Sequence, residues 1–209
     1  MLEVIDKGHT TDRHPAPLLF VHGAWHSAWC WDEHFLDFFA DNGYRAVAVS
    51  LRGHGRSHGR ERLRWTRIRD YVDDVAEVVA QLPTPPVLIG HSMGGFIVQK
   101  YLERHTAAGA VLVAAVPPSG ALRATARLAR DHPRQFVTAN ATLSLAPMVA
   151  TPELARDLFF SASMPETQVN SYQQRLQDES YRAFLDRLAL NLVKAERVGQ
   201  VPMLVLGGE

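Results

Sequence analysis

Residues 87–95 carry the clearest structural signal in this chain and read Val87-Leu88-Ile89-Gly90-His91-Ser92-Met93-Gly94-Gly95. A short apolar run that ends at a glycine is typical of a buried strand in a parallel sheet. The segment that follows, 96–103, is predicted to be a helix. The pattern Gly90-x-Ser92-x-Gly94 therefore predicts a serine at a sharp turn between a strand and a helix.

A serine at such a turn is suited to nucleophilic catalysis. Its hydroxyl is a weak nucleophile, so the side chain has to be exposed and has to lose its proton as it attacks. The flanking glycines remove side chains that would clash in the turn, and the Met93 amide at the helix start favours developing negative charge. We therefore predict that Ser92 is the nucleophile. The alternative is a glycine-rich turn with an incidental serine, which would not require this strand and helix around it.

A second motif, His22-Gly23-Ala24-Trp25, follows the apolar run Leu18–Val21. A tetrahedral intermediate needs two backbone N–H donors for its negatively charged oxygen. The residue after the nucleophile, Met93, supplies one donor, and the loop after the first core strand supplies the other, which we assign to Ala24. An ordinary strand-to-helix loop would also explain this motif on its own, but its pairing with Ser92 favours an oxyanion hole.

Strands and helices alternate along residues 1–118. Strands are predicted at 18–21, 44–49, 87–89 and 110–116. Helices are predicted at 27–41, at 66–82 with Thr66 as the cap, and at 96–103. This alternation predicts an α/β fold with a mostly parallel, doubly wound sheet.

The pattern changes after Pro118. Residues 119–200 contain no clear strand and are typical of several helices, one of which starts at the cap Thr151 with Pro152 in its first turn. An apolar strand at Met203–Leu206 follows. We predict an N-terminal core (1–118), an inserted helical cap (119–200) and a last core strand (201–209).

Apolar side chains of the loop and the predicted cap are candidates for a substrate pocket beside Ser92. Simple packing of the cap on the core is the alternative for the cap residues. The candidates are Trp25, Met93, Phe136, Phe159, Phe160 and Met164.

The composition is that of a soluble globular domain: 46% of the residues are hydrophobic, 21% are charged and the net charge is +0. A neutral chain offers no basic stripe to nucleic acid, and no apolar run of about 20 residues is present to span a membrane. The single cysteine, Cys30, and the lack of a signal-peptide pattern predict a cytoplasmic location. His22 and His26 have no third ligand in the sequence, so no metal is expected.

These motifs resemble the α/β-hydrolase superfamily. Residues 22–31 are similar to the oxyanion loop of small enzymes of the plant methylesterase and hydroxynitrile lyase type. Residues 51–57 resemble the loop after the next strand in the superfamily, and residues 90–95 resemble its nucleophile elbow.

The resemblance implies a hydrolase without a cofactor that cleaves a small carboxylic ester through an acyl-enzyme on Ser92. In the family, the catalytic acid follows the strand equivalent to Met203–Leu206 and the base histidine comes later still, whereas this sequence stops at Glu209. We therefore expect a chain truncated before these two residues, with residual activity and with self-association through an unpaired strand edge. The alternatives are a lyase or C–C bond hydrolase on the same scaffold, or an incomplete fragment that only binds ligands.

Overall fold

The computed structural model describes residues 1–207, and a six-stranded sheet lies at its centre. Gly208 and Glu209, the end of the predicted last core segment, lie outside the described residues. The strands are β1 (Glu3–Lys7), β2 (Leu18–Val21), β3 (Ala46–Ser50), β4 (Val87–His91), β5 (Gly109–Val113) and β6 (Met203–Leu206).

The sheet is mostly parallel, with the strand order β1-β3-β2-β4-β5-β6. Strand β1 runs antiparallel to β3, and every other pair of neighbours is parallel. The predicted α/β class with a mostly parallel sheet is confirmed. Strand β1 has no clear signal in the sequence, because its residues alternate between half-buried and exposed at the edge of the sheet and form no apolar run.

Helices cover both faces of the sheet. The helices are α1 (Trp29–Asp32), α2 (Phe35–Asp41), α3 (Ile68–Val79), α4 (Met93–Leu102), α5 (Leu122–Asp131), α6 (Pro133–Thr142), α7 (Pro152–Phe159), α8 (Glu166–Gln173) and α9 (Tyr181–Leu185). The helix predicted over 27–41 is in fact two helices, because the backbone of His34 leaves the helical region with φ −145°.

Alternate residues of β2 face two separate apolar cores. Leu18 and Phe20 pack with α1 and α2 on one face. Leu19 and Val21 pack with α3 and α4 on the other face. This alternation follows from the two-residue period of a strand, and it makes the central strands apolar on both sides.

The segment between β5 and β6 is helical. Within residues 119–200, all of which the structure describes, there is no strand. Helix α7 starts as predicted, since the Thr151 hydroxyl accepts a hydrogen bond from the Leu154 amide. No helix among the described residues is long and apolar enough to cross a lipid bilayer.

The parallel arrangement fixes where loops meet. Because β2, β3, β4 and β5 run in the same direction, the loops that follow them emerge at one edge of the sheet. These loops carry His22–Trp25, Leu51–Ser57 and Ser92.

Candidate active site

Ser92 lies between β4 and α4, with φ 50° and ψ −113°. This left-handed backbone conformation is rare for a residue with a side chain. Hydrogen bonds on both sides hold it: the Ser92 amide donates to the Val113 carbonyl at 3.0 Å, and the Ser92 carbonyl accepts from the Phe96 and Val116 amides at 3.2 and 3.1 Å. A strained residue that is so fully held is characteristic of a functional position.

The glycines around Ser92 are required for close packing. A Cβ on Gly94 would overlap the carbonyl oxygen of Val21 and would lie 2.6 Å from that of His22. A Cβ on Gly90 would lie 2.5 Å from the carbonyl oxygen of Gly94. The start of α4 can therefore sit directly on the ends of β2 and β4 only because Gly94 and Gly90 have no side chain.

The loop after β2 touches Ser92. A Cβ built on Gly23 would lie 3.3 Å from the Cβ of Ser92. Among residues 1–207, neither the Ala24 amide nor the Met93 amide donates a hydrogen bond to another protein group. Both predicted oxyanion donors are therefore unused, and their convergence on one oxygen stays a prediction.

His22 holds this loop in place and has no free ring nitrogen. Its Nε2 accepts a hydrogen bond from the Leu51 amide at 3.1 Å, so Nδ1 carries the proton and donates to the Gly23 carbonyl at 2.8 Å. Burial, with a smaller contribution from nearby His54, lowers the pKa of His22 to about 3. His22 is thus neutral at pH 7.

His26 also forms a hydrogen bond within this loop. Its Nδ1 hydrogen-bonds to the Ala24 carbonyl at 2.8 Å, and its ring lies edge-on to Phe159 with 5.0 Å between the ring centroids. Burial lowers the pKa of His26 to about 4. Among the described residues, no group of three or more His, Cys, Asp or Glu side chains converges as a metal site would require.

Glu179 connects four segments beneath the site. Its Oε1 accepts hydrogen bonds from the Tyr71 hydroxyl at 2.9 Å and from the Ser180 amide at 2.6 Å. Its Oε2 accepts from the Trp25 amide at 3.4 Å and lies 3.3 Å from His54 Nε2. The carboxylate therefore ties the oxyanion loop to α3, to the loop after β3 and to the start of α9.

His54 and Glu179 form a fully buried pair, with His54 Nε2 3.3 Å from Glu179 Oε2. Burial opposes the charged form of His54, but the facing Glu179 carboxylate raises the pKa of the imidazole. Burial also opposes the charged form of Glu179, yet His54 and the more distant Arg187 lower the pKa of its carboxyl. Because its Nε2 faces Glu179 and its Nδ1 contacts the Arg52 carbonyl at 3.1 Å, His54 is a positioning residue in this arrangement.

A cavity of about 210 Å³ opens onto Ser92 and is lined mainly by apolar side chains. Three of the predicted pocket residues line it, namely Trp25, Phe136 and Phe159. Two further lining residues are Phe184 in α9 and Arg187 in the π-helical turn that follows α9.

Three other pocket candidates lie elsewhere. Phe160 follows the end of α7 in an extended conformation, so its ring turns away and packs on Tyr172 at 5.7 Å. Met164 is not part of the cavity wall, and its carbonyl accepts a hydrogen bond from Arg156 at 2.7 Å. The side chain of Met93 is fully buried in the core.

The structure places Ser92 at the wall of a cavity and the loop of Gly23 against Ser92, but it brings no base to the Ser92 hydroxyl. Among residues 1–207, no histidine nitrogen hydrogen-bonds to the Ser92 hydroxyl. Sequence reasoning missed Glu179 and Arg187, since both depend on partners far away in the chain and neither belongs to a motif.

Comparisons with known proteins agree with this geometry. A model of the alpha/beta hydrolase family matches residues 18–209. The chain is 43% identical over 110 residues to a non-heme haloperoxidase of Rhodococcus erythropolis and 42% identical over 114 residues to a bifunctional esterase/perhydrolase of Acinetobacter calcoaceticus. Each of these alignments covers 49% of this chain and 38% of the relative.

The fold is also found in solved structures. An esterase from Exiguobacterium antarcticum superposes with a TM-score of 0.70 at 21% identity, covering 98% of this chain and 75% of the esterase. The match of the family model, with the strand order and the turn at Ser92, shows that this chain belongs to the alpha/beta hydrolase family.

Proposed function

We propose that this protein is a serine hydrolase that cleaves a small carboxylic ester through an acyl-enzyme on Ser92. The observation that carries the proposal is the strained Ser92 at the wall of an apolar cavity, with the loop of Gly23 against it. The Ala24 and Met93 amides donate no hydrogen bond to residues 1–207, which supports their proposed role. The esterase/perhydrolase named among the relatives supports this reaction class.

In this proposal the Ser92 hydroxyl attacks the ester carbonyl carbon, and the resulting oxyanion accepts hydrogen bonds from the Ala24 and Met93 amides. Collapse of the intermediate expels the alcohol and leaves the acyl group on Ser92, and water then releases the acid. In this proposal the proton transfers need a general base other than His22 and His54, because His22 has no free ring nitrogen and His54 faces Glu179.

The test is hydrolysis of an aryl ester such as p-nitrophenyl butyrate by the wild type and by Ser92→Ala. We expect the substitution to lower kcat/KM at least about 100-fold, because the nucleophile is removed. The matched control is Ser163→Ala, which removes an exposed serine whose hydroxyl, within the described part of the chain, hydrogen-bonds only to that of Ser161. Equal hydrolysis by wild type and Ser92→Ala would contradict the proposal, and Ser92-dependent cleavage of a cyanohydrin without ester hydrolysis would favour the lyase alternative.

A second candidate reaction is perhydrolysis at the same serine. The names of the two relatives, a haloperoxidase and an esterase/perhydrolase, favour it. Hydrogen peroxide would replace water as the nucleophile on the acyl-enzyme, giving a peracid and free Ser92. Peracid formed from an ester and peroxide by wild type but not by Ser92→Ala identifies this reaction.

We also propose that two copies of the chain pair through β6. This strand pairs only with β5 among the described residues, and its four apolar residues are 42% to 66% exposed. Exposed apolar edges recruit further strands. Sedimentation velocity should show concentration-dependent association that Val205→Lys abolishes and Val137→Lys, at an equally exposed position on α6, leaves unchanged. A wild type that stays monomeric at all concentrations contradicts this.

A further inference from the structure

We propose that Arg187 is the anion-binding residue of the Ser92 cavity and that the substrate is an ester carrying a free carboxylate. This inference rests on the proposed ester hydrolysis, because it identifies the class of ester. It starts from a cationic side chain that lies 5.8 Å from the centroid of the Phe184 ring and has no hydrogen-bond partner among residues 1–207.

Arg187 is only 6% exposed, yet its guanidinium donates no hydrogen bond to any of the described residues. Its Nε is completely buried. Guanidinium groups have five N–H donors and stay charged, so a buried one without partners is strongly unfavourable. The side chain lines the cavity that contains Ser92, so a ligand in that cavity can supply the missing acceptor.

The nearby carboxylates of Glu179 and Asp186 do not accept a hydrogen bond from the Arg187 guanidinium. Glu179 stabilises the charge of Arg187 from a distance, but its oxygens accept from Tyr71, Ser180 and Trp25 and face His54. Asp186 accepts hydrogen bonds from the Ile68 amide at 3.1 Å and from Arg182 at 3.2 Å.

The other polar groups of the cavity wall are largely used within the protein. Asn140 accepts a hydrogen bond from Tyr181 at 2.7 Å and donates one to the Phe136 carbonyl at 2.7 Å. The Trp25 indole donates to the Leu145 carbonyl at 3.0 Å. The cavity therefore offers one charged donor among apolar walls, which suits a ligand with an apolar chain and an anionic end.

Arg187 is held firmly at the wall. It belongs to a π-helical turn, Asp186–Leu190, and its carbonyl accepts a hydrogen bond from the Ala121 amide at 3.0 Å. Its planar guanidinium can bind a carboxylate through two parallel hydrogen bonds. A substrate held in this way places its carboxylate on Arg187 and its ester on Ser92.

Binding can be measured without turnover in Ser92→Ala, by calorimetric titration with monomethyl adipate and with the uncharged dimethyl adipate. We expect the monoester to bind at least about tenfold more tightly. Adding Arg187→Met should weaken binding of the monoester about 10- to 100-fold and change that of the diester little. Arg127→Met is the control, since Arg127 on α5 has an exposed side chain paired with Asp131.

Equal affinity for the two esters, or a preference that survives Arg187→Met, would overturn the inference. Tighter binding of pentyl phosphate than of monomethyl adipate would overturn the carboxylate assignment. If Arg187→Met does not fold, the comparison of the two esters on Ser92→Ala still decides whether the cavity prefers an ester with a free carboxylate.

Turnover separates this inference from the proposed function. Hydrolysis of dimethyl adipate depends on Ser92 and not on Arg187, so its persistence in Ser92→Ala would show that the proposed function is wrong. Ser92-dependent hydrolysis of both esters with equal kcat/KM would instead show that only the role of Arg187 is wrong.

Discussion

Glu179→Ala is expected to lower the free energy of unfolding by about 3–5 kcal/mol, because it removes a buried carboxylate and leaves the donors that bond to it unsatisfied in the interior. The side chain of Glu179 is 1% exposed and accepts from the Tyr71 hydroxyl and from the amides of Ser180 and Trp25. His54 would keep a buried imidazole without its facing carboxylate. The loop that carries Ala24 would lose the same anchor, so activity should fall together with stability.

Urea denaturation of wild type and variants measures this effect. Glu179→Gln should be less damaging, since an amide oxygen can still accept from Tyr71 and Ser180. Glu33→Ala is the matched control: its carboxylate forms a partly exposed pair with Arg175 at 2.6 Å and should contribute less than about 1 kcal/mol. A loss of less than about 1 kcal/mol in Glu179→Ala would show that the buried pair is not an anchor.

The pKa shift of Glu179 sets the direction in which the stability difference between wild type and Glu179→Ala changes with pH. Burial raises the pKa of Glu179, but His54 and Arg187 lower it below its ordinary value of 4.5. The part of the stabilisation that comes from the Glu179 carboxylate is therefore present above pH 4.5 and is lost as the pH falls through the lowered pKa. The part that comes from His54, whose pKa the facing carboxylate raises, is lost as the pH rises through that raised pKa. The difference in stability between wild type and Glu179→Ala should shrink on acidification below pH 4.5.

Gly94→Ala is expected to cost about 3 kcal/mol or more and to disrupt the turn at Ser92. Helix propensity alone predicts the opposite, a gain of about 1 kcal/mol for alanine inside a helix. The steric effect decides, because a Cβ at this position would overlap the Val21 carbonyl oxygen and lie 2.6 Å from that of His22. Both contacts are with backbone atoms, so relief requires α4 to move away from β2.

Thermal and urea unfolding of Gly94→Ala measure this cost beside Gly199→Ala. A Cβ on Gly199 would be 3.6 Å from the Leu102 carbonyl oxygen, which is ordinary contact, so this control should change stability by less than about 1 kcal/mol. If Gly94→Ala is as stable as wild type and keeps its Ser92-dependent hydrolysis, the close approach of α4 and β2 is not needed for the site.

The sequence predicted the central strands and the turn because their signals are local. The apolar runs Leu18–Val21 and 87–89 are each followed by a glycine within two residues, and this pattern does not depend on the rest of the chain. The start of α3 was less predictable. Thr66 was expected to cap it, but the helix begins at Ile68, and the Asp70 carboxylate accepts a hydrogen bond from the Arg67 amide instead.

The roles of Glu179 and Arg187 could not be predicted for a different reason. Glu179 contacts Trp25 and Tyr71 across 154 and 108 residues of sequence, so its burial depends on the tertiary fold. The sequence around Arg187 likewise shows no periodicity or motif that would predict its burial. Residues that act through such long-range contacts have no local signal in a single sequence.

The most direct test of the central claim is covalent labelling of Ser92 by a fluorophosphonate. A nucleophilic serine attacks the phosphorus and displaces fluoride, so peptide mass spectrometry should find the adduct on Ser92 and on no other of the serines. Ser92→Ala should remain unlabelled while Ser163→Ala labels like wild type. No adduct on Ser92 in the folded wild type, or equal labelling of Ser92→Ala, would contradict the assignment of Ser92 as the nucleophile.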